Sequence, residues 1–141
     1  MPQNTVLRPQ EPGANMLRLL AFVKGMDANA AAVDVRALVI NSDRWNAHLC
    51  VLCNASISLT TATLGIYSAP AAGGTALITA ATALAPLSGP TVVFKPAITT
   101  AGLIISFRPS AGASDSVYFR IATAQGAAAT FDAYIYGYDL S

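Results

Sequence analysis

Cys50-Val51-Leu52-Cys53 is the spacing in this chain that most suggests chemistry. Two thiols three residues apart can serve a structural zinc, which needs four ligands and so a second pair. They can also serve disulfide exchange at a helix N-terminus beside a βαβ unit. The sequence has two cysteines in all, so there is no second pair. The surrounding residues read as a strand, in which positions 50 and 53 point to opposite faces. Both thiols therefore read as reduced core or interface residues. His48 is the single histidine. On the same strand reading it shares a face with Cys50, and Asp43 is near in sequence. A nucleophile and base would need a third group to orient them, and a hydrogen-bonded edge histidine is the simpler expectation.

The carboxylates are Glu11, Asp27, Asp34, Asp43, Asp115, Asp132 and Asp139. No neighbouring pair has the spacing of a metal loop, and a glycosidase-like pair across a cleft would have to form at long range. Asp132 and Asp139 read as an outward strand residue and a tail residue. Gly73-Gly74 lacks the following Lys-Ser/Thr and the helix that a phosphate loop requires. Asn54-Ala55-Ser56 matches a glycosylation acceptor, without a secretory signal to give it meaning. Tyr118, Tyr134, Tyr136 and Tyr138 could stack on sugars. Alternation puts the last three on one face of one strand, where cross-strand packing or an oligomer contact is the commoner use. These constellations do not add up to an enzyme, and neither a cofactor nor a metal is expected.

The elements that would position these residues are short. Residues 1–15 form a Pro-, Gln- and Asn-rich arm whose Pro2, Pro9 and Pro12 favour extended backbone. Residues 16–141 form one domain. Met16 to Val23 reads as a first strand or a short helix, and residues 26–32 as a helical turn capped by Asp27. From Val33 the period is two: Val33, Val35, Ala37 and Val39 alternate with Asp34, Arg36 and Leu38. Asn41-Ser42-Asp43 is a turn. Ala47 to Cys53 follows, with Leu49, Val51 and Cys53 on one face and His48, Cys50 and Leu52 on the other. Thr61 to Tyr67 and Thr75 to Ala80 flank a hairpin loop at residues 69–74. Leu84 to Pro90 is a connection. Thr91 to Phe94 and Leu103 to Phe107 are short strands. Val117 to Ala122 and Thr130 to Tyr136 close the series. Eight or nine such strands and no long helix predict an all-β, antiparallel two-sheet sandwich. A jelly roll is the best specific expectation, with an immunoglobulin-like sandwich second, since Trp45 precedes both cysteines.

Composition narrows the partners. Charged residues are 11% of the 141 residues, with one glutamate and two lysines, and net charge is +1. A soluble monomer usually keeps about 25–35% of its surface charged. An exterior of Ala, Ser, Thr and Gly loses little side-chain entropy when another protein covers it. The eight basic residues are scattered, which argues against direct nucleic-acid binding. Met16 to Val23 is too short to span a bilayer, and Met1 to Gly13 has no apolar signal core, so neither membrane nor export is expected.

Three segments then carry a resemblance. They are Asn54 to Tyr67, NASISLTTATLGIY, running on to Gly73-Gly74-Thr75-Ala76; Val117 to Thr130, VYFRIATAQGAAAT; and Asp132 to Leu140, DAYIYGYDL. These Ala/Thr-rich motifs span roughly the C-terminal two thirds of the chain. They resemble a family of small proteins encoded beside the major capsid protein in tailed bacteriophages, the capsid cement or decoration proteins. The resemblance implies a jelly-roll fold. It implies binding to the outside of an icosahedral shell whose major subunit has the HK97-like fold. It also implies a place on the outer surface of the virion after synthesis in the host cytoplasm. It brings no catalytic residues.

On that reading the arm, with Val6, Leu7 and Arg8, reaches a neighbouring subunit by strand addition. Trp45 with Arg44 is a candidate anchor, because Trp and Arg are enriched at hot spots, while core packing is the other reading of Trp45. Tyr134, Tyr136 and Tyr138 are the remaining candidate contacts with capsid or with a second copy, a dimer being the simplest homo-oligomer. The competing functions are a carbohydrate-binding sandwich of a tail fibre or spike, and a hydrolase built on His48 and a distant acid.

Overall fold

A computed structural model describes residues 17–39, 45–79, 81–99 and 116–139. Eight strands lie among them: β1 (Arg18–Asp27), β2 (Asp34–Leu38), β3 (Trp45–Cys53), β4 (Thr63–Ala69), β5 (Gly73–Ala76), β6 (Thr82–Ala83), β7 (Ser116–Thr123) and β8 (Thr130–Asp139). They form two antiparallel sheets. One is three-stranded in the order β1-β8-β3; the other runs β2-β7-β4-β5, with β6 also paired to β4. The all-β, two-sheet architecture is the one that the period-two patterns predict.

The strands that hold a strict period of two are those the chain spells most clearly. In β8, Phe131, Ala133 and Ile135 are buried while Asp132, Tyr134 and Tyr136 are half-buried on the other side. In β7, Val117, Phe119 and Ile121 are buried; in β4 Leu64 and Ile66 are buried, but so are Gly65 and Tyr67 between and beside them, so there the alternation is not kept. These inward faces meet in one core. The three-stranded sheet contributes Leu20, Met26, Trp45, Cys50, Leu52, Phe131 and Ile135, and the other contributes Ala37, Leu64, Ile66, Val117, Phe119 and Ile121. Leu59, Leu77, Ile78, Leu84 and Leu87 close it from the connections, each 0% exposed. Water is driven from both sheets by the same burial, which is what holds them face to face.

Several expectations need correction. β1 runs to Asp27, four residues past the expected end, because it carries two register shifts against β8, between Leu19 and Ala21 and between Val23 and Met26. Gly25 sits in the second shift at φ +65°, the left-handed conformation that a glycine bulge uses. There is no helical turn at 26–32. The Asp27 carboxylate accepts a hydrogen bond from Asn29 N–H at 2.8 Å, two residues on. That is a turn contact of the kind Asp offers in place of a helix. Ala28 N–H is already spent on Ala129 O at 2.9 Å.

Thr91 to Phe94 makes no strand; Phe94 forms an isolated antiparallel bridge with Leu52 through two hydrogen bonds of 2.8 Å. The hairpin glycines themselves start β5, and β6 was not foreseen. Leu103 to Phe107, Asn41 to Asp43 and the arm 1–15 lie outside the described residues.

At one end of the sandwich a single side chain binds loops together. Gln125 Oε1 accepts from Thr61 N–H and Ala62 N–H, both at 3.1 Å, and Gln125 Nε2 donates to Ser58 O and Thr60 Oγ1. At another point Asp34 on β2 pairs with Arg120 on β7 at 2.8 Å and accepts Ala71 N–H from the β4–β5 hairpin.

Candidate binding surface on the three-stranded sheet

The residues facing away from the core on β1, β8 and β3 form a ladder of apolar and aromatic side chains. β8 is the middle strand, so each of its outward residues has a neighbour on both sides. Tyr134 stands between Phe22 on β1 and Val51 on β3. Tyr136 stands between Leu19 and Leu49. Tyr138 is opposite Asn46. The Phe22 and Tyr134 rings stack with centroids 6.2 Å apart and planes 22° apart. His48 meets Tyr138 edge-on at 5.4 Å. Such pairs hold side chains in place and add about 0.5–1.5 kcal/mol beyond burial. Phe22 nonetheless remains 44% exposed and Leu17, just before β1, 42%.

Tyr134, Tyr136 and Tyr138 therefore share one outward face, as the alternation of β8 implies. Phe22 and Leu19 join them, and sequence reasoning did not single these two out. Nothing local marks them: they lie in the strand with two bulges, and their partners come from the far end of the chain.

One end of the face is polar and ordered. Asp132 lies across from Cys53. Its two oxygens accept hydrogen bonds from Gly25 N–H and Asn54 Nδ2, each at 2.8 Å. Asn54 has φ +55°, so the strand turns away from the face there. Burial and the Asp132 charge raise the Cys53 thiol pKa above its ordinary value, with Lys24 opposing. Cys50 faces the core, 0% exposed, and burial pushes its pKa up to about 12. Both thiols are free. They point to opposite sides of β3, so the CxxC spacing brings no common ligand site into being. Among the described residues no three His, Cys, Asp or Glu side chains gather where a metal ion could sit.

Two candidates stand elsewhere than expected. Trp45 is 1% exposed and among the largest fully buried side chains; it packs the core, which is the second of its two readings, and does not present an anchor to a partner. His48 does not share a face with Cys50. A register shift between Ala47 and Leu49 against β8 inserts an extra residue, so Ala47 and Cys50 are both buried while His48 is exposed. Val6, Leu7, Arg8 and Arg44 lie outside the described residues. No protein-family model, no curated protein and no solved structure matches the chain.

Proposed function

We propose that this chain is a structural virion protein that binds the outside of a tailed-phage capsid, against the HK97-like major capsid protein, and cements neighbouring capsomers. The observation that carries the reading is the aromatic and aliphatic face Leu19, Phe22, Leu49, Val51, Tyr134, Tyr136 on the three-stranded sheet. Phe22 is exposed and the other five are half-buried, and a contiguous apolar face that stays partly exposed on a small protein marks an interaction surface. With 11% charged residues in the chain, the exterior as a whole is poor in the charged groups that keep a soluble monomer apart. Strand order supports the jelly-roll part of the reading. β2, β7, β4 and β5 follow one another in the five-stranded sheet, with the two-residue β6 also on β4; β1, β8 and β3, with the Phe94 bridge beyond β3, supply the other.

The function is mechanical. Packaged DNA pushes a phage head outward, and a protein seated across a seam adds contacts that expansion must break. A standard interface buries ~1,600 Å², and contacts repeated over many symmetry-related copies become strong together. Particles of the phage that encodes the chain, prepared with and without it, should rupture at different temperatures, those lacking it first. Equal rupture temperatures would sink the proposal. Phe22→Ser with Tyr136→Ser should lose particle binding while keeping the circular dichroism spectrum.

The second reading is carbohydrate binding. The stacked Phe22–Tyr134 pair and the Tyr138–His48 pair favour it, since aromatic faces also bind the apolar faces of sugars. Glycan binding by the isolated protein, lost in the same double variant, would select it.

A further inference from the structure

The four outermost strands of the two sheets differ in how they protect their open edges. β1 carries two register shifts, β3 carries one and also meets Phe94, and β5 pairs with β4 across another. Bulges of this kind spoil an edge as a template for further strands. Among the described residues, β2 shows no such defence. Its register with β7 is unbroken from Asp34↔Arg120 to Leu38↔Ser116, and among the described residues it is paired on that side alone. It contains no proline. Its charged side chains reach toward β7, Asp34 to Arg120 and Arg36 Nε to Ser116 Oγ, both at 2.8 Å. At its ends stand two of the most exposed large apolar residues described, Val33 at 53% and Leu38 at 58%.

We propose that β2 pairs antiparallel with β2 of a second copy about a two-fold axis at Val35, joining the two larger sheets into one. The register follows from charge. A two-fold axis through an antiparallel pair sets residue i opposite residue S−i on the same face, where S is twice the residue number at the axis. An axis at Asp34 or at Arg36 places like charges directly opposite, which destabilises a pair. An axis at Val35 places Asp34 opposite Arg36 of the other copy, and by symmetry does so twice. Each Asp34 then lies between Arg120 of its own chain and the incoming Arg36. Val33 falls opposite Ala37, where the small alanine leaves room for it. The contact is isologous, so it closes at two copies and does not propagate. It uses a different surface from the aromatic face and does not depend on the capsid reading.

Sedimentation velocity of the full chain over a range of concentrations tests the pairing. The unmodified chain should dimerise. Arg36→Asp sets two like-charge oppositions in each dimer and should raise the dissociation constant at least about tenfold. Asp34→Arg should do the same. An equimolar mixture of the two variants restores Asp opposite Arg at both places and should dimerise again. Asp34→Arg also loses the contacts to Arg120 and Ala71, so hydrogen exchange of the unmodified chain gives a reading that needs no variant. Protection at residues 33–37 should rise with concentration. A chain that stays monomeric throughout, a dimer protected on β1, β8 and β3 instead, or an Arg36→Asp variant with an unchanged dissociation constant would each overturn the proposal.

Discussion

Gly137 shows how much a single missing side chain can fix. It lies in β8 opposite Arg18 on one side and Ala47 on the other. A Cβ there would fall on the Asn46 backbone, 3.0 Å from its carbonyl carbon and closer still to its oxygen, and 2.7 Å from Leu20 Cδ1. The obstruction is backbone of β3 at its bulge, which cannot swing aside. Gly137→Ala should therefore cost about 3 kcal/mol, read as a lower urea midpoint with the slope unchanged. The two cysteines make a second prediction at this scale. The native protein should take up one equivalent of iodoacetamide, slowly and at half-buried Cys53, and two only after unfolding. Cys50, buried and held protonated at neutral pH, has neither access nor thiolate. Alkylation of Cys50 in the native state, seen by peptide mass mapping, would contradict its place in the core.

Among the elements, legibility followed regularity. β7 and β8 could be read in advance because each keeps apolar residues at alternate positions, and β4 because Leu64 and Ile66 do so, although its Gly65 and Tyr67 are buried as well. β1 and β3 were misjudged where a bulge adds a residue and reverses which neighbours are inside; His48 was placed on one face with Cys50 and Leu52 for that reason. β6 and the Phe94 bridge have no pattern of their own, being fixed by what they lie against. The tyrosine half of the candidate face was legible from β8, whereas Phe22 and Leu19 join it through a pairing between opposite ends of the domain.

The fastening of β2 to the β4–β5 hairpin yields a prediction with a definite sign. The hydrogen bond from Ala71 N–H, aided by Arg120 and opposed by burial, holds the Asp34 pKa below its ordinary 3.8. A carboxylate whose folded pKa is depressed stabilises the fold above its unfolded pKa. That stabilisation fades as pH drops through the folded value. Urea midpoints should fall from about pH 4 downward. Asp34→Asn should be less stable at neutral pH, by about 1 kcal/mol, and should show a shallower acid decline. An identical acid limb in the two proteins would remove Asp34 from the account.

At the scale of the whole molecule, the strand that sequence order places last sits in the middle of its sheet, between β1 and β3. Its Phe131, Ala133 and Ile135 are fully buried. The ordering entropy of nearly the entire domain must be met before β8 can pair, which makes folding slow, in the range of milliseconds to seconds. A chain ending before Thr130 should show no cooperative melting transition by calorimetry. A sharp transition in that truncated chain would mean that the five-stranded sheet is stable without its partner. The poverty in charge, legible from composition alone, is also a property at this scale. It says that the exterior suits a covered state, while the two surfaces best suited to being covered, the aromatic face and the β2 edge, emerge only when distant segments are folded together.

The pairing of β1 with β8 sets Arg18 beside Gly137, so the start of the first strand and the end of the last leave the sheet at the same corner. Tension drawn through those two ends would open the ladder like a zip, one rung after another, and would meet little resistance. Force delivered across the sheets would strain many rungs at once. A molecule built this way tolerates load applied flat against its faces and gives way when tugged by its tips, so whatever grips it durably must do so broadside.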